Sequence, residues 1–259
     1  MKTCIHTLLT IAACIMIQSA SAQFLQNPVI AHRGAWKADG LPQNSIASLK
    51  RAVELGCGGS EFDVHLTKDD VLVVNHDQDF FGMDIATSTY RELKTKKLAN
   101  GEKIPTAEAY LRQGMKQQKT KLILELKTSK LGKERTLYAA EKAVQLVSKL
   151  GAENWVEYIA FDYDACKRIK SIAPEAKVFY LNGDVPPAQV KQDGLDGLDY
   201  HFNVFKNNPT WIKEAHALGL AVNVWTVNNE EDMRSLLAQQ TEFITTDEPG
   251  KLLNLISQQ

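Results

Sequence analysis

Two carboxylates separated by one residue, Glu61 and Asp63, lie in a segment that alternates polar and apolar side chains. Such alternation is typical of a β-strand, and it places Phe62 and Val64 on the face opposite to the acids. If helices cover the apolar face, the acids point into the protein interior, where an ionised carboxylate is unfavourable unless it is neutralised. The pair therefore predicts a site for a metal ion.

A third acid, Glu125, lies in the apolar segment 122–126 and completes a set of three hard oxygen ligands. No cysteine and no His-x-x-x-His spacing accompanies the three acids. Oxygen-only ligation suits Mg²⁺ or Ca²⁺ better than Zn²⁺. We expect Glu61, Asp63 and Glu125 to bind one divalent cation, either Mg²⁺ or Ca²⁺.

Two cations and two histidines follow the same predicted strands. Arg33 and Lys127 can bind a phosphate, the first as a planar fork and the second as a point charge. His32 and His76 can both accept and donate a proton near neutral pH. We therefore predict metal-assisted cleavage of a phosphate ester, with His32 and His76 as the catalytic pair and Arg33 and Lys127 binding the substrate. The sequence assigns neither histidine to the acid or the base role.

A repeated pattern of short apolar strand followed by helix must position these residues. The predicted strands cover 29–31, 60–65, 122–126, 158–161, 177–181, 195–202, 220–225 and 243–245, and the predicted helices cover 45–55, 133–150, 165–172, 187–191, 210–218, 230–239 and 249–256. Eight such strands predict an α/β fold of the (β/α)8 TIM-barrel type, with the active site at the C-terminal ends of the strands. A doubly wound open sheet is the alternative, but no Gly-x-Gly-x-x-Gly follows any predicted strand.

One segment, 77–106, interrupts this pattern after the second strand. A hairpin through 71–74 leads into it, and it contains a predicted short helix at 88–93. We interpret it as a small insertion over the mouth of the barrel. No low-complexity tract or long linker is present, so residues 23–259 are predicted to form a single domain.

The first 22 residues differ from the rest of the chain. Lys2 precedes an apolar run, 5–17, which is too short for a membrane span, and Ser19 to Ala22 offer an A-x-A cleavage site. We predict a signal peptide cleaved after Ala22 and export to the periplasm or the medium. A lipobox-like sequence ending at Cys14 is the alternative, but the apolar residues that continue beyond Cys14 favour cleavage.

The charge of the mature chain is nearly balanced. Removing Lys2 with the signal peptide leaves 29 basic and 31 acidic residues. This balance gives no support for nucleic acid or an anionic membrane as a partner. The expected partner is the small-molecule phosphate ester that the site residues indicate. Cys57 and Cys166 remain after cleavage; they could pair, but two buried free thiols are the favoured interpretation.

An ordered series of motifs carries a family resemblance over essentially the whole mature chain: His32-Arg33-Gly34, Pro42-Gln43-Asn44-Ser45, Glu61-Phe62-Asp63-Val64, Val74-Asn75-His76-Asp77, Glu125-Leu126-Lys127, Trp225-Thr226-Val227-Asn228 and Thr246-Asp247-Glu248-Pro249. This series resembles the glycerophosphodiester phosphodiesterase family. The resemblance implies a TIM barrel like that of phosphatidylinositol-specific phospholipases and a divalent cation. It also implies hydrolysis of glycerophosphodiesters to glycerol 3-phosphate and an alcohol.

The resemblance also implies the roles of individual residues. It matches Glu61, Asp63 and Glu125 to the metal ligands, His32 and His76 to the acid/base pair, Arg33 and Lys127 to the phosphate contacts, and Trp225 to an aromatic residue near the glycerol. One departure concerns Gln43, which stands where the family usually has Glu and so removes a negative charge close to the site.

Several alternatives stay open at the level of sequence. The nucleophile is either water or a neighbouring hydroxyl of the substrate. The diester could instead be a phosphoinositol, a lysophospholipid or a teichoic-acid-like polymer, and the insertion 77–106 would determine that choice. A phosphate-binding barrel without turnover is a further alternative, which the complete set of acids, cations and histidines disfavours.

Overall fold

A closed parallel barrel is formed by eight of the strands in the computed structural model, which describes residues 24–258. The predicted signal peptide, its cleavage site and Cys14 lie outside the described residues. The strands are β1 (Val29–Ala31), β2 (Gly59–Leu66), β3 (Leu72–Val74), β4 (Asp79–Phe80), β5 (Met83–Asp84), β6 (Lys121–Leu126), β7 (Val156–Ala160), β8 (Lys177–Tyr180), β9 (Gly197–His201), β10 (Ala221–Trp225) and β11 (Phe243–Thr246).

The barrel closes because β1 pairs in parallel with both β2 and β11. Around the barrel, the strand order is β1, β2, β6, β7, β8, β9, β10 and β11. This order confirms the predicted TIM barrel and excludes the open doubly wound sheet. The additional strand β3 pairs antiparallel with β2, with Val74 opposite Val64, so the predicted hairpin is also present.

Ten helices of the described chain surround or connect these strands. They are α1 (Ile46–Leu55), α2 (Tyr90–Leu93), α3 (Ala107–Gly114), α4 (Lys133–Leu150), α5 (Tyr163–Ile172), α6 (Pro187–Gln192), α7 (Phe202–Asn207), α8 (Trp211–Ala217), α9 (Glu230–Ala238) and α10 (Pro249–Ser257). The sequence did not predict α3 or α7. The predicted strand 195–202 ends at His201 because the imidazole of His201 accepts a hydrogen bond from the backbone of Asn203 (3.2 Å) and begins α7.

Alternation along the strands separates two apolar layers. Outward residues such as Phe62 join the helices in the main core, where the Phe62 ring stacks on Tyr110 of α3 at a centroid distance of 4.4 Å. Inward residues form a smaller cluster that fills the barrel and includes Ile30, Ile123 and Phe179. Phe62 and Val64 therefore face the helices, and Glu61 and Asp63 face the barrel interior, as the alternation predicts.

The segment 77–106 forms a small unit with its own apolar cluster. Phe80, Ile85, Leu93 and Ile104 pack against Val73 of β3. The predicted short helix is α2, which begins after Thr89; the Thr89 side chain accepts a hydrogen bond from the backbone of Glu92. The insertion is therefore attached to the β2–β3 hairpin, directly beside the strand that carries the two acids.

Two further sequence expectations concern the cysteines and the membrane. Cys57 and Cys166 are both buried as free thiols, in agreement with the favoured interpretation. Burial raises the pKa of the Cys57 thiol to about 12, so this side chain is an inert part of the core. Among the helices at residues 24–258, none combines the length and the apolar character that crossing a bilayer requires.

Candidate active site

The three predicted metal ligands meet at one point of the barrel. Asp63 of β2 is the register partner of Glu125 of β6, and Glu61 lies two residues earlier on the same face of β2. All three side chains are buried, and each offers a carboxylate oxygen within 4.8 Å of the others. The structure therefore brings together the acids that the sequence placed in one set.

Burial and mutual repulsion change the acidity of this cluster. Burial raises the pKa of Glu61 well above its usual value, and the charges of Asp63 and Glu125 raise it further. Burial, together with the charge of Asp63, also raises the pKa of Glu125 to about 7. Asp63 differs because Lys127, His76 and Asn44 outweigh the effect of burial and lower its pKa. The three groups are thus hard to ionise together without an additional cation.

Two basic side chains partly neutralise the acids. Lys127 Nζ lies 3.1 Å from Asp63 Oδ1 and 2.7 Å from Glu125 Oε1, and Arg33 Nε lies 3.7 Å from Asp63 Oδ2. Three carboxylates and these two cations leave one net negative charge. A divalent cation would reverse that charge to one net positive, which is the complement of a singly charged phosphodiester.

The donor atoms also fit a divalent cation. Glu61 Oε1 is buried and accepts no hydrogen bond from any residue of the range 24–258, although Glu61 Oε2 accepts one from the backbone of Arg33 (2.7 Å). An unpaired buried carboxylate oxygen is unfavourable, and a hard cation beside Glu61, Asp63 and Glu125 would satisfy it. The residues present therefore fit Mg²⁺ or Ca²⁺.

Asn44 fixes Asp63, a role that the sequence analysis did not assign. Its side chain donates to Asp63 Oδ2 (2.8 Å) and accepts from the Asp63 backbone (3.0 Å). Asn44 and Arg33 both have positive φ angles, 57° and 55°, which Asn tolerates better than most residues. The turn also requires Gly34, because a Cβ atom there would lie 2.4 Å from Ser48 Oγ. The signal in the sequence was the Asn next to the helix cap Ser45.

His32 is oriented by residues from the other end of the chain. Its Nδ1 lies 2.8 Å from Asp247 Oδ1, and Asn228 donates to Asp247 Oδ2 at 2.8 Å. Burial disfavours ionisation of Asp247, but the hydrogen bonds from His32 and Asn228 lower its pKa. Because an ionised carboxylate can only accept, Nδ1 of His32 carries a proton and Nε2 is left to exchange protons. Asp247 and Asn228 belong to motifs noted in the sequence, but no role was predicted for them.

His76 lies in the loop between β3 and β4 and lines the same cavity as Glu61 and Glu125. Its Nδ1 lies 2.8 Å from Asp77 Oδ1, and its backbone carbonyl lies 3.1 Å from Nε2 of His65. Burial lowers the pKa of His76, and the positive charges of Lys127 and Arg33 lower it further, against the opposing effect of Asp63. The surroundings of His76 therefore favour its neutral form, and His65 supports the loop that carries it.

One cavity of about 100 Å³ connects the predicted site residues. Its lining includes His32, Arg33, Glu61, His76, Glu125, Lys127 and Trp225, while Asp63 lies buried directly behind them. The indole N–H of Trp225 donates to the backbone of Asp199 (2.8 Å), and its ring meets Phe161 edge-on at 5.5 Å. The cavity therefore has a charged side and an aromatic side, and Phe161 and Asp199 are lining residues that the sequence analysis did not identify.

A TIM barrel whose C-terminal rim combines clustered acids, two basic side chains and two histidines is the arrangement expected of a phosphoric diester hydrolase. Comparison with known proteins specifies the family. Residues 32–251 match the model of the glycerophosphoryl diester phosphodiesterase family. The chain belongs to this family.

Individual relatives support the assignment over nearly the full length. A glycerophosphodiester phosphodiesterase from Caldanaerobacter subterraneus is 31% identical, over 88% of this chain and 97% of the relative. The crystal structure of a glycerophosphodiester phosphodiesterase from Parabacteroides distasonis is similar with a TM-score of 0.87 and 44% identity, over 91% of this chain and 99% of that one. A phosphodiesterase from Oleispira antarctica, solved with the product sn-glycerol-3-phosphate, has a TM-score of 0.76 and 25% identity, over 90% of this chain and 97% of that one.

Proposed function

We propose that this protein hydrolyses glycerophosphodiesters to glycerol 3-phosphate and an alcohol, that it requires one divalent cation, and that His32 and His76 move the protons. The observation that carries the proposal is the meeting of three buried acids, two cations and two histidines around one cavity. The product bound to the Oleispira antarctica relative supports the glycerol phosphate part of the substrate.

The charged side of the cavity would bind the phosphoryl group. Glu61, Asp63 and Glu125 would hold the cation, which when bound lowers the negative charge on the phosphoryl oxygens. Arg33 and Lys127 border the same space and would offset the charge that develops as the ester bond breaks. Lys127 is already fixed by Asp63 and Glu125, so its ammonium group needs little reorganisation before it meets the substrate.

The two histidines would carry out complementary proton transfers. A bond forms between the nucleophilic oxygen and phosphorus, and the bond between phosphorus and the leaving alcohol breaks. One histidine accepts the proton that the nucleophile loses, and the other donates a proton to the leaving oxygen. Asp247 and Asp77 each fix the Nδ1 atom of one ring, which leaves Nε2 of His32 and of His76 for the reaction. Water and a neighbouring substrate hydroxyl are both compatible nucleophiles; a transient cyclic phosphate among the products would identify the hydroxyl.

The deciding experiment is product analysis with a panel of glycerophosphodiesters, with and without a chelator. We expect glycerol 3-phosphate to appear only when Mg²⁺ or Ca²⁺ is present, and a protein with His76→Ala to serve as the inactive control. A protein that binds the cation and glycerol 3-phosphate but hydrolyses no diester would instead be the binding barrel considered from the sequence. Release of glycerol 3-phosphate in the presence of excess chelator would contradict the metal requirement.

We also propose that the enzyme acts outside the cytoplasm. The support is the leader-like sequence 1–22, with its apolar run and its small residues before Gln23. N-terminal sequencing of the protein from its native host tests this: Gln23 as the first residue is expected, and a lipid-modified Cys14 would contradict it.

A further inference from the structure

A buried acid that the proposed chemistry does not use lies at the aromatic side of the cavity. Asp199 is in the middle of β9 and is only 1% exposed. Its neighbours Leu198 and Tyr200 belong to the core between the barrel and the helices, so the side chain of Asp199 faces the barrel interior. There it lines the same cavity as His32 and Lys127.

One oxygen of the Asp199 carboxyl group lacks a hydrogen-bond donor in the described part of the chain. Its Oδ1 is fully buried and accepts no hydrogen bond from residues 24–258, and none of their basic side chains forms an ion pair with it. Asn223, its register partner on β10, lowers the pKa of Asp199 as a hydrogen-bond donor, and the Asn223 amide also donates to Thr245 Oγ1 at 3.0 Å. The arrangement therefore leaves one buried carboxyl oxygen, Oδ1 of Asp199, without a hydrogen bond.

Apart from Asn223 and Thr245, the surroundings of Asp199 are mainly apolar. The lining of the cavity includes the apolar side chains of Ile159, Leu181, Phe161 and Trp225. Burial raises the pKa of Asp199 to about 8, with a smaller contribution from the charge of Glu125 and an opposing one from Asn223. A neutral carboxyl group can both donate and accept a hydrogen bond, as an alcohol can. An apolar wall with one such group matches a short carbon chain that bears a hydroxyl.

We propose that Asp199 is a specificity-determining residue that hydrogen-bonds the terminal hydroxyl of the substrate's glycerol moiety, so that the pocket selects diesters whose glycerol is unsubstituted there. This inference rests on the proposed function, because the phosphoryl group must lie at the charged side. With that end fixed by Arg33 and Lys127, the glycerol carbons extend along Trp225 and Phe161. The hydroxyl farthest from phosphorus then lies beside the Asp199 carboxyl.

The test compares two substrates that differ by one oxygen atom. Glycerophosphoethanolamine carries the terminal hydroxyl, and the corresponding propane-1,2-diol diester lacks it but keeps the hydroxyl next to the phosphate ester. The parent enzyme should prefer the first in kcat/KM by about 10- to 100-fold, because the analogue leaves the buried carboxyl unpaired. In the Asp199→Leu enzyme, kcat/KM for glycerophosphoethanolamine should fall by the same factor, so that the two substrates are hydrolysed equally well. The Asp199→Asn enzyme should retain most of the preference for glycerophosphoethanolamine.

A matched control is available at the other end of the barrel. Glu157 is also a largely buried acid on an inward-facing strand position, and it lies 3.7 Å from Lys121 rather than in the active-site cavity. Glu157→Gln should leave the preference between the two substrates unchanged. Thermal melting of every variant separates a loss of fold from a loss of selectivity. If Asp199→Leu does not fold, Asp199→Ala, which cannot overpack the site, replaces it.

Each outcome separates this inference from the proposed function. A parent enzyme that hydrolyses both substrates equally well would overturn the role of Asp199 and leave the proposed function intact. An equal loss on both substrates in the Asp199 variants would show a structural role and overturn it as well. A loss seen with glycerophosphoethanolamine but not with glycerophosphoglycerol would assign Asp199 to the ammonium group instead. If the parent hydrolyses no diester under any condition, the proposed function itself fails.

Discussion

Asp247→Asn is the substitution that tests most directly how the fold controls His32. Asn228 donates to Asp247 Oδ2, and it cannot turn its amide around because its Oδ1 accepts from the backbone of Asp247 (2.9 Å) and from Thr246 (3.1 Å). The new amide must therefore direct its oxygen toward Asn228 and its NH₂ group toward His32 Nδ1. His32 is then forced to carry its proton on Nε2, the atom that faces the reaction.

The size of the effect follows from the role of that proton. A histidine in the wrong tautomer cannot accept a proton through Nε2, and it also loses the carboxylate that stabilises its charged form. General acid–base groups contribute about 10²–10⁴-fold in rate, so we expect kcat to fall by that factor, or about 3–5 kcal/mol in the activation free energy. Cation affinity should change little, because Asp247 is not one of the acids of the cluster.

The assay is steady-state hydrolysis of a glycerophosphodiester together with calorimetric titration of the cation. The exchanged pair Asp247→Asn with Asn228→Asp provides a matched rescue, since the carboxylate at 228 can accept from the new amide and frees its oxygen for His32 Nδ1–H. We expect kcat of the double variant to be about tenfold higher than that of Asp247→Asn alone, which is a usual size of coupling between hydrogen-bonded neighbours. An Asp247→Asn enzyme that works at the parental rate would show that the tautomer of His32 does not control the reaction.

Further predictions concern the histidine pair, the metal and the charges around it. His32→Ala and His76→Ala should each lower kcat by about 10²–10⁴-fold, and the double variant should be little worse than either, because one removal already breaks the proton route; additive losses would contradict this. Chelation should abolish activity, Mg²⁺ or Ca²⁺ should restore it, and saturation at about 100 times the dissociation constant should stabilise the fold by about 2.7 kcal/mol in a melting experiment; restoration by Zn²⁺ alone would exclude oxygen-only ligation. Because the folded pKa of Glu125 is raised to about 7, the metal-free fold should lose stability as pH rises from the ordinary Glu range through that value, and Glu125→Gln should flatten this dependence in pH-resolved denaturation. Gln43 accepts from Arg33 Nη1 at 2.7 Å, so Gln43→Glu should tighten the cation by about 2- to 5-fold and raise KM by engaging Arg33; unchanged calorimetric affinity would place residue 43 outside the electrostatic reach of the site.

Local patterns in the sequence were sufficient to predict the parts of the fold that depend on residues close together in the chain. The alternation around Glu61 and Asp63 determined which face of β2 meets the helices, and the register with β6 then brought Glu125 beside Asp63. The strand–helix repeat predicted the barrel because a parallel strand pair needs a crossover, and the helix provides it. The same reasoning missed α7, since a histidine that caps its own helix looks like the end of a strand.

Contacts between segments that are distant in the sequence could not be predicted from local sequence patterns. His32 and Asp247 are separated by 215 positions, and Asn44 reaches Asp63 only because Arg33 and Asn44 adopt left-handed backbone conformations in one turn. Neither relation has a periodic signature, although both pairs lie within motifs that the family resemblance identified. Recognising the motifs located these residues, but only the closed barrel shows which side chain each one positions.

The charge of the site explains why its residues belong to one functional unit. An isolated ionised carboxylate would be unfavourable at any of these three buried positions. Lys127 and Arg33 neutralise the charge of the three acids only in part. A divalent cation would complete the neutralisation and leave a positive charge that complements a phosphodiester. Asp199 stands apart from this balance, since it lies on the aromatic side and has no basic partner among residues 24–258. Because Asp199 neither belongs to the acid cluster nor pairs with a base, its unpaired Oδ1 is available to a polar group of the substrate, which is the role that we propose for it.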